Sequence, residues 1–294
     1  MSVVERALDK LRRVAPDVGS RPRAADPVRH EPIGALLDVE LESKSGPRIA
    51  IDRAALRAAG YLPDEAQDRQ FADEYRQIKR SLLANAFSPE SPASSPSPRL
   101  IMMASALPGD GKTFTSINLA LSLARERDSS VVLIDADVAK PHVSRIFGVE
   151  RELGLLDALA DPSRDVASFI LPTDVRGLSI LPAGRVRDGA TELLSSAGMR
   201  ALAERLLAWS PRCVALFDSP PLLVSSESRA LAAAMGQVLV VVKAGHTPRE
   251  AVLEALGEVT GGQQVSLVLN QGRRHLLDGN YGYSYGSYGE PDNG

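Results

Sequence analysis

At 294 residues the chain has room for one large domain, or for one domain with a substantial extension, and its 44% apolar and 24% charged residues are those of an ordinary globular protein. A formal net charge of −3 removes the broad electrostatic case for a nucleic-acid partner, and the single Cys213 excludes an intramolecular disulfide and suits a reducing cytoplasm. No apolar run approaches the about 18 to 20 residues that span a bilayer, so the chain is expected not to cross a membrane itself.

The first stretch, "MSVVERALDKLRRVAP", has charges inside any apolar core and is no signal peptide. It reads as a short amphipathic docking helix, with Ser2 and Glu5 as a capping box and Val4, Leu8 and Leu11 on one face. Residues 16–45 are rich in Pro, Arg, Asp and Gly without a period, which predicts a linker. "RIAIDRAALRAAGYLPD" predicts a strand, a short helix and a turn. From Phe71 to Phe87, Tyr75, Ile78, Leu82 and Leu83 keep helical spacing. The Ser/Pro run "SPESPASSPSP" that follows admits neither helix nor central strand.

From about residue 98 the pattern becomes regular. Six strand-sized apolar runs, "RLIMMAS", "SVVLIDAD", "GLSILPAG", "CVALFDSPP", "QVLVVVKAG" and "VSLVLNQ", alternate with helical stretches such as "SINLALSLARE" and "PREAVLEALGEV". Continuous Val/Ile/Leu runs between helices predict a mainly parallel sheet covered on both faces, a doubly wound α/β domain. The expected organisation is a helix and linker over 1–45, an extension with its own helix over 46–97, the α/β domain over 98–274 and a tail over 275–294.

Between the first strand and its helix stands "ALPGDGKTF", which fits the phosphate-loop pattern GxxxxGK[ST] except that Ala106 replaces the first glycine. Gly109 and Gly111 let backbone N–H groups converge on phosphate oxygens, with Asp110 between them and Phe114 closing the loop. Lys112 reaches the β- and γ-phosphates, the Thr113 hydroxyl can hold Mg²⁺, and the next helix points its positive end at the same anion. Two acidic sites follow at strand ends, where ligands of such sheets bind. Asp135 and Asp137 are one residue apart, so both reach a ligand only if the strand ends there. Asp218, after four apolar residues, is expected to arrange Mg²⁺ and its waters. His142 and His246 read as loop and helix-start residues, and no His/Cys spacing points to zinc.

Together "ALPGDGKT", "LIDADVAKP" and "LFDSPP" resemble the Walker A, A′ and B motifs of the bacterial tyrosine kinases of polysaccharide export loci. "LPAGRVRDGATELLSS" is similar to that family's strand ending in PAG followed by an ELL helix, and "DEYRQIKR" resembles its oligomerisation helix, here carried by Asp73, Arg76 and Lys79. The tail "NYGYSYGSYGE" is similar to its autophosphorylation cluster, and the long N-terminal region looks most like the exosortase-associated autokinase branch. The resemblance implies a P-loop NTPase fold of the MinD/ParA-like type and an ATP- and Mg²⁺-dependent tyrosine autokinase. Asp135 would be the base, Asp137 and Asp218 would organise the metal with Thr113, and Asn270 would recognise the adenine edge. Tyr281, Tyr283, Tyr285 and Tyr288 would accept phosphate in trans. It also implies a homo-oligomer, activated by a transmembrane chain-length regulator at the cytoplasmic face of the membrane.

Ala139 stands where the family often has an arginine, Asp73 where its helix motif has Glu, and Glu227 where an aspartate often follows Walker B. The alternatives are a positioning ATPase, whose extra phosphate-loop lysine is Leu107 here, and a nucleotide-binding regulatory subunit without kinase activity.

Overall fold

The computed structural model describes residues 48–88, 96–185, 193–194 and 197–272. Seven strands form one sheet: β1 (Leu100–Ser105), β2 (Ser130–Asp135), β3 (Leu171–Pro172), β4 (Leu178–Leu181), β5 (Cys213–Asp218), β6 (Gln237–Lys243) and β7 (Gln264–Asn270). Their order is β3-β4-β2-β5-β1-β6-β7, and every pairing is parallel except β3 with β4. β1, β2, β4 and β5 are buried at every residue, which is why their sequences run apolar without alternation. The two-residue β3 has no sequence signal of its own, and the expected strand in "RIAID" is reduced to a single bridge from Ile49 to Thr173.

Helices cover both faces. α1 (Arg53–Ala58), α2 (Asp68–Ala86), α3 (Lys112–Leu123) and α4 (His142–Ile146) lie on the face that takes Ile101 and Met103 of β1. α5 (Leu155–Ala160), α6 (Ala197–Trp209), α7 (Ser226–Ala232) and α8 (Arg249–Gly257) lie on the face that takes Met102 and Ala104. Alternate side chains of one strand thus feed two separate cores. α2 buries Tyr75, Leu82 and Ala86 along one stripe against α3, so the extension forms part of the domain's outer layer. Trp209 packs against the other core. The Cys213 thiol is buried, and burial pushes it up to about 11, so it stays protonated and inert.

Among the described residues no helix is long and apolar enough to cross a membrane. The expected N-terminal helix and linker over 1–45 and the tyrosine tail lie outside the described residues, as does the start of the ELL helix.

Candidate active site

The carboxyl ends of β1, β2 and β5 define the site. β1 ends at Ser105, the loop 106–111 turns, and α3 starts at Lys112 with its N-terminus facing back over the strand ends. Gly109 and Gly111 hold φ of +84° and +95°, which side-chain-bearing residues rarely adopt. At Gly111 space adds a second constraint: a Cβ there would lie 2.0 Å from Asn270 Nδ2. That amide donates to the Asp110 carbonyl at 2.9 Å, while the Asn270 side-chain oxygen accepts from Gln271 N–H. One amide N–H of Asn270, the residue to which the resemblance assigns the adenine edge, thus braces the phosphate loop, and a second N–H and an oxygen lone pair remain for a base.

Asp110 is likewise turned away from the cleft. Its carboxylate accepts from Leu107 N–H at 3.2 Å and from Thr247 Oγ1 at 2.7 Å, closing the loop on itself and tying it to the segment before α8. What Asp110 offers a phosphate is its backbone. Lys112 Nζ donates to Ser105 Oγ at 2.9 Å; burial lowers its pKa, and the carboxylates of Asp218, Asp137 and Asp110 oppose that shift.

Asp135 and Asp218 are register partners at the ends of adjacent strands. Asp218 accepts from Thr113 Oγ1 and from Ser116 Oγ, both at 2.8 Å, which fixes the first turn of α3 to β5. Burial raises its pKa, and the Ser116, Thr113 and Lys112 contacts oppose the rise. Asp135 is fully buried. Its Oδ2 accepts from Ser144 N–H and Ser144 Oγ, each at 2.7 Å, and Oδ1 is a buried polar side-chain atom with no hydrogen-bond partner among the described residues. Burial pushes its carboxyl up to about 7, with the Ser144 contacts opposing the rise. The Ser144 hydroxyl is itself oriented, because it accepts from Ala183 N–H at 2.9 Å. The "PAG" strand end thereby aims a hydroxyl proton at Asp135.

β2 stops at Asp135, so Asp137 is free of the strand's alternation and reaches the cleft. Its pKa is also raised by burial, against the hydrogen bond from Lys140 N–H and the nearby His142. The cleft, about 670 Å³, is lined by Gly109, Gly111, Lys112, Thr113, Phe114 and Asp137 of the expected set. Asp110, Asp135, Asp218 and Asn270 stand behind that lining.

Sequence reading missed the far wall. Gly60 and Tyr61 of the extension, His142, and the run from Ser219 to Pro221 with Val224 also line the cleft. Asn118 Nδ2 of α3 holds the Tyr61 carbonyl at 2.8 Å, an unforeseeable contact across 57 residues. Ser144 was missed too; its signal is only a serine in the short helix α4 that follows the acidic pair. The three oligomerisation residues separate. Asp73 and Arg76 pair on the exposed face of α2 at 2.7 Å, whereas Lys79 is buried, pairing with Glu126 and donating to the Ser122 carbonyl.

Mg²⁺ keeps several waters and takes only one or two protein ligands. Thr113 on the cleft, Asp218 at hydrogen-bond distance behind it and Asp137 alongside fit that demand, although no three-ligand cluster of His, Cys, Asp and Glu occurs among the described residues.

A parallel sheet, a glycine loop leading into a helix N-terminus and acidic residues on the two neighbouring strands define a nucleotide-binding P-loop NTPase. Accordingly, the family model described as "ParA: NUBPL iron-transfer P-loop NTPase" matches residues 98–221. The tyrosine-protein kinase YwqD of Bacillus subtilis is 31% identical over 195 residues, spanning 66% of this chain and 78% of that protein. The putative tyrosine-protein kinase EpsB of Ralstonia nicotianae is 32% identical over 189 residues, spanning 64% of this chain but 24% of that longer protein. Among solved structures, the kinase domain of VpsO superposes with a TM-score of 0.57 at 29% identity, over 71% of this chain and 98% of that one. The chain belongs to the bacterial tyrosine-protein kinase family.

Proposed function

We propose that this chain is an ATP-dependent protein tyrosine autokinase that regulates exopolysaccharide synthesis and export, modifying its own C-terminal tyrosines in trans. The observation that supports transfer to tyrosine, beyond nucleotide binding, is Asp135. A carboxylate fully buried beside a phosphate loop, anchored through one oxygen and without a partner at the other among the described residues, holds a proton more readily than an exposed one, which suits it to accept one.

Its roles follow from its surroundings. The backbone N–H groups of 109–112, the Lys112 side chain and the α3 N-terminus hold the triphosphate. Thr113, Asp137 and Asp218 would hold Mg²⁺, which supplies charge neutralisation on the β- and γ-phosphates. The acceptor tyrosine enters past Asp137, its oxygen forms the new bond to the γ-phosphorus as the bond to ADP breaks, and its proton is relayed through one water to Asp135 Oδ1 behind the cleft lining. A tyrosine hydroxyl has a pKa near 10, so a carboxylate pushed up to about 7 is a better acceptor than an ordinary one. Asn270 and Asp110 act on the nucleotide through the loop they brace.

Tyr75 cannot be the acceptor in the folded chain, because it is buried in α2 and burial raises its hydroxyl pKa far above the usual range. That leaves Tyr61 on the cleft wall and the tail. Tyr281, Tyr283, Tyr285 and Tyr288, spaced by Gly and Ser, have the open composition an active site accepts. From Gly272 to Tyr288 the chain spans at most about 55 Å, enough to reach a neighbour. In this reading the exposed Asp73–Arg76 pair contributes to a homo-oligomer and a transmembrane chain-length regulator recruits the chain to the membrane. The N-terminal region is that of the exosortase-associated branch. The positioning-ATPase alternative lacks its cross-interface lysine, since Leu107 packs against the core.

The test mixes two chains with ATP and Mg²⁺: Lys112→Ala with an intact tail, and an active chain ending at Asp278. Phosphate on Tyr281 to Tyr288 of the Lys112→Ala chain, read by mass spectrometry, is expected. Phosphate confined to Tyr61 would contradict the tail assignment.

A further inference from the structure

A second cavity lies on the outer side of α3. Arg53 and Arg57 of α1, Arg69 of α2 and Arg125 just past α3 converge on it, and its volume is about 290 Å³. Ligand pockets run from roughly 300 to 1,000 Å³, so this one suits a single side chain better than a nucleotide. Four guanidinium groups share the cavity lining with one carboxylate, that of Asp68; Arg57 pairs with it and with Glu65 outside the lining, at 3.8 Å, while donating to the Pro63 carbonyl at 3.0 Å. Arg53, Arg69 and Arg125 make no ion pair or side-chain hydrogen bond among the described residues. Like charges gathered in one concavity repel unless an anion joins them.

The floor is aromatic and aliphatic. Phe71 and Tyr75 stack there with ring centroids 6.4 Å apart, beside Leu121. Guanidinium groups at the rim above an apolar floor match an anion carried on a flat ring, and their planar forks bind phosphate oxygens two at a time. A lipid surface would call for a convex basic face, which this recess is not.

We propose that this cavity binds phosphotyrosine from the C-terminal segment 280–290, so that a modified tail docks beside the site that modified it. The proposal rests on the kinase reading for the source of the phosphate, though the pocket's chemistry stands apart from it. The segment carries four of the six tyrosines, and each phosphate adds about −1.5 to −2 charges. Cleft and cavity are linked through α3: its first turn, Lys112 and Thr113, lines the cleft, and Leu121 and Ser122, about 15 Å further along, line the cavity. Phe71 on the cavity floor also meets Phe114 of the cleft edge-on, with centroids 6.0 Å apart. Docking there draws a phosphorylated tail out of the cleft and frees it for the next tyrosine.

The test uses phosphatase-treated full-length protein without ATP, titrated with a fluorescent 280–290 peptide phosphorylated at Tyr283 and Tyr285. Binding at least about tenfold tighter than that of the unphosphorylated peptide is expected. The Arg53→Ser, Arg125→Ser double variant should lose at least about tenfold, whereas Arg127→Ser, exposed and outside the cavity, should bind as the parent does. Nucleotide binding by the double variant confirms its fold; if it fails to fold, Arg69→Ser replaces it. Equal affinity for both peptides, indifference to the arginine changes, or competition by inorganic phosphate as strong as by free phosphotyrosine would overturn the proposal. The two readings fail separately: loss of ATP-dependent transfer leaves this titration intact, and loss of peptide binding leaves transfer to the first tyrosine of a tail intact.

Discussion

The two ends of the sheet treat buried polar groups in opposite ways. At the amino ends of β1, β5 and β6, Arg99 Nη1 lies within hydrogen-bond distance of the carbonyls of Leu207, Ser210, Pro211 and Cys213. Gln237 there donates to the carbonyls of Leu82 and Pro98 and accepts from Asn85 Nδ2. Those side chains stitch α2, α6 and the strands together, and their hydrogen-bonding capacity is used on the fold. At the carboxyl ends the carboxyls of Asp135, Asp137 and Asp218 are all pushed up by burial, Lys112 is pushed down, and Asp135 Oδ1 has no partner among the described residues. Satisfied polar groups hold a structure, and unsatisfied ones beside a cleft store the capacity to bind and to accept protons.

The largest effect should come from filling the loop at the functional end. Gly111→Ala places a Cβ against Asn270 Nδ2 on a backbone at φ +95°, and nucleotide affinity measured by fluorescence titration should fall by at least about a hundredfold. Asp135→Asn should sharpen the contrast by stabilising the metal-free protein. The folded carboxyl, pushed up to about 7, binds a proton that the unfolded chain has lost above its ordinary value near 3.9, so stability declines as pH rises from 4 to 7. At pH 8 the variant should gain up to about 4 kcal/mol in denaturant unfolding, and at pH 4 almost nothing. A gain at pH 4 equal to that at pH 8 would refute the cause.

At the structural end the sign reverses. Arg99→Met leaves its carbonyl acceptors without that donor and should cost about 1–3 kcal/mol, with nucleotide affinity unchanged. The smallest effects separate the α2 charges. Lys79→Ala should lower stability by about 1–2 kcal/mol, because it removes a buried ammonium that pairs with the half-exposed Glu126 and donates to the Ser122 carbonyl. Arg76→Ala, breaking an exposed pair, should cost under about 0.5 kcal/mol but reduce self-association in sedimentation. Equal destabilisation by both would erase the distinction between them.

What the sequence disclosed follows the same division. Apolar runs located six of the seven strands, and the glycine loop, Lys112 and the acidic strand ends stood out because their local spacing carries the chemistry. The doubly wound, mainly parallel class was legible, since strands buried on both faces lose their alternation. Strand order was not, because β1 pairs with β5 and β6, more than a hundred residues away. Side-chain direction was equally hidden. Lys79, grouped with the oligomerisation residues, is buried against α3, the Asn270 amide donates to the Asp110 carbonyl, and the Tyr61 carbonyl is held by Asn118. Each of these depends on contacts between segments far apart in the chain, which periodicity does not encode.

The most direct test of the account compares nucleotide affinity with phosphotyrosine formation for Asp135→Asn, in full-length protein with ATP and Mg²⁺. Because Asp135 stands behind the cleft lining and is assigned to proton transfer alone, nucleotide affinity should stay within about twofold while transfer falls by about a hundredfold or more. Transfer at the parental rate, or transfer and nucleotide affinity lost together, would contradict the claim that the buried, half-satisfied carboxylate is kept for chemistry.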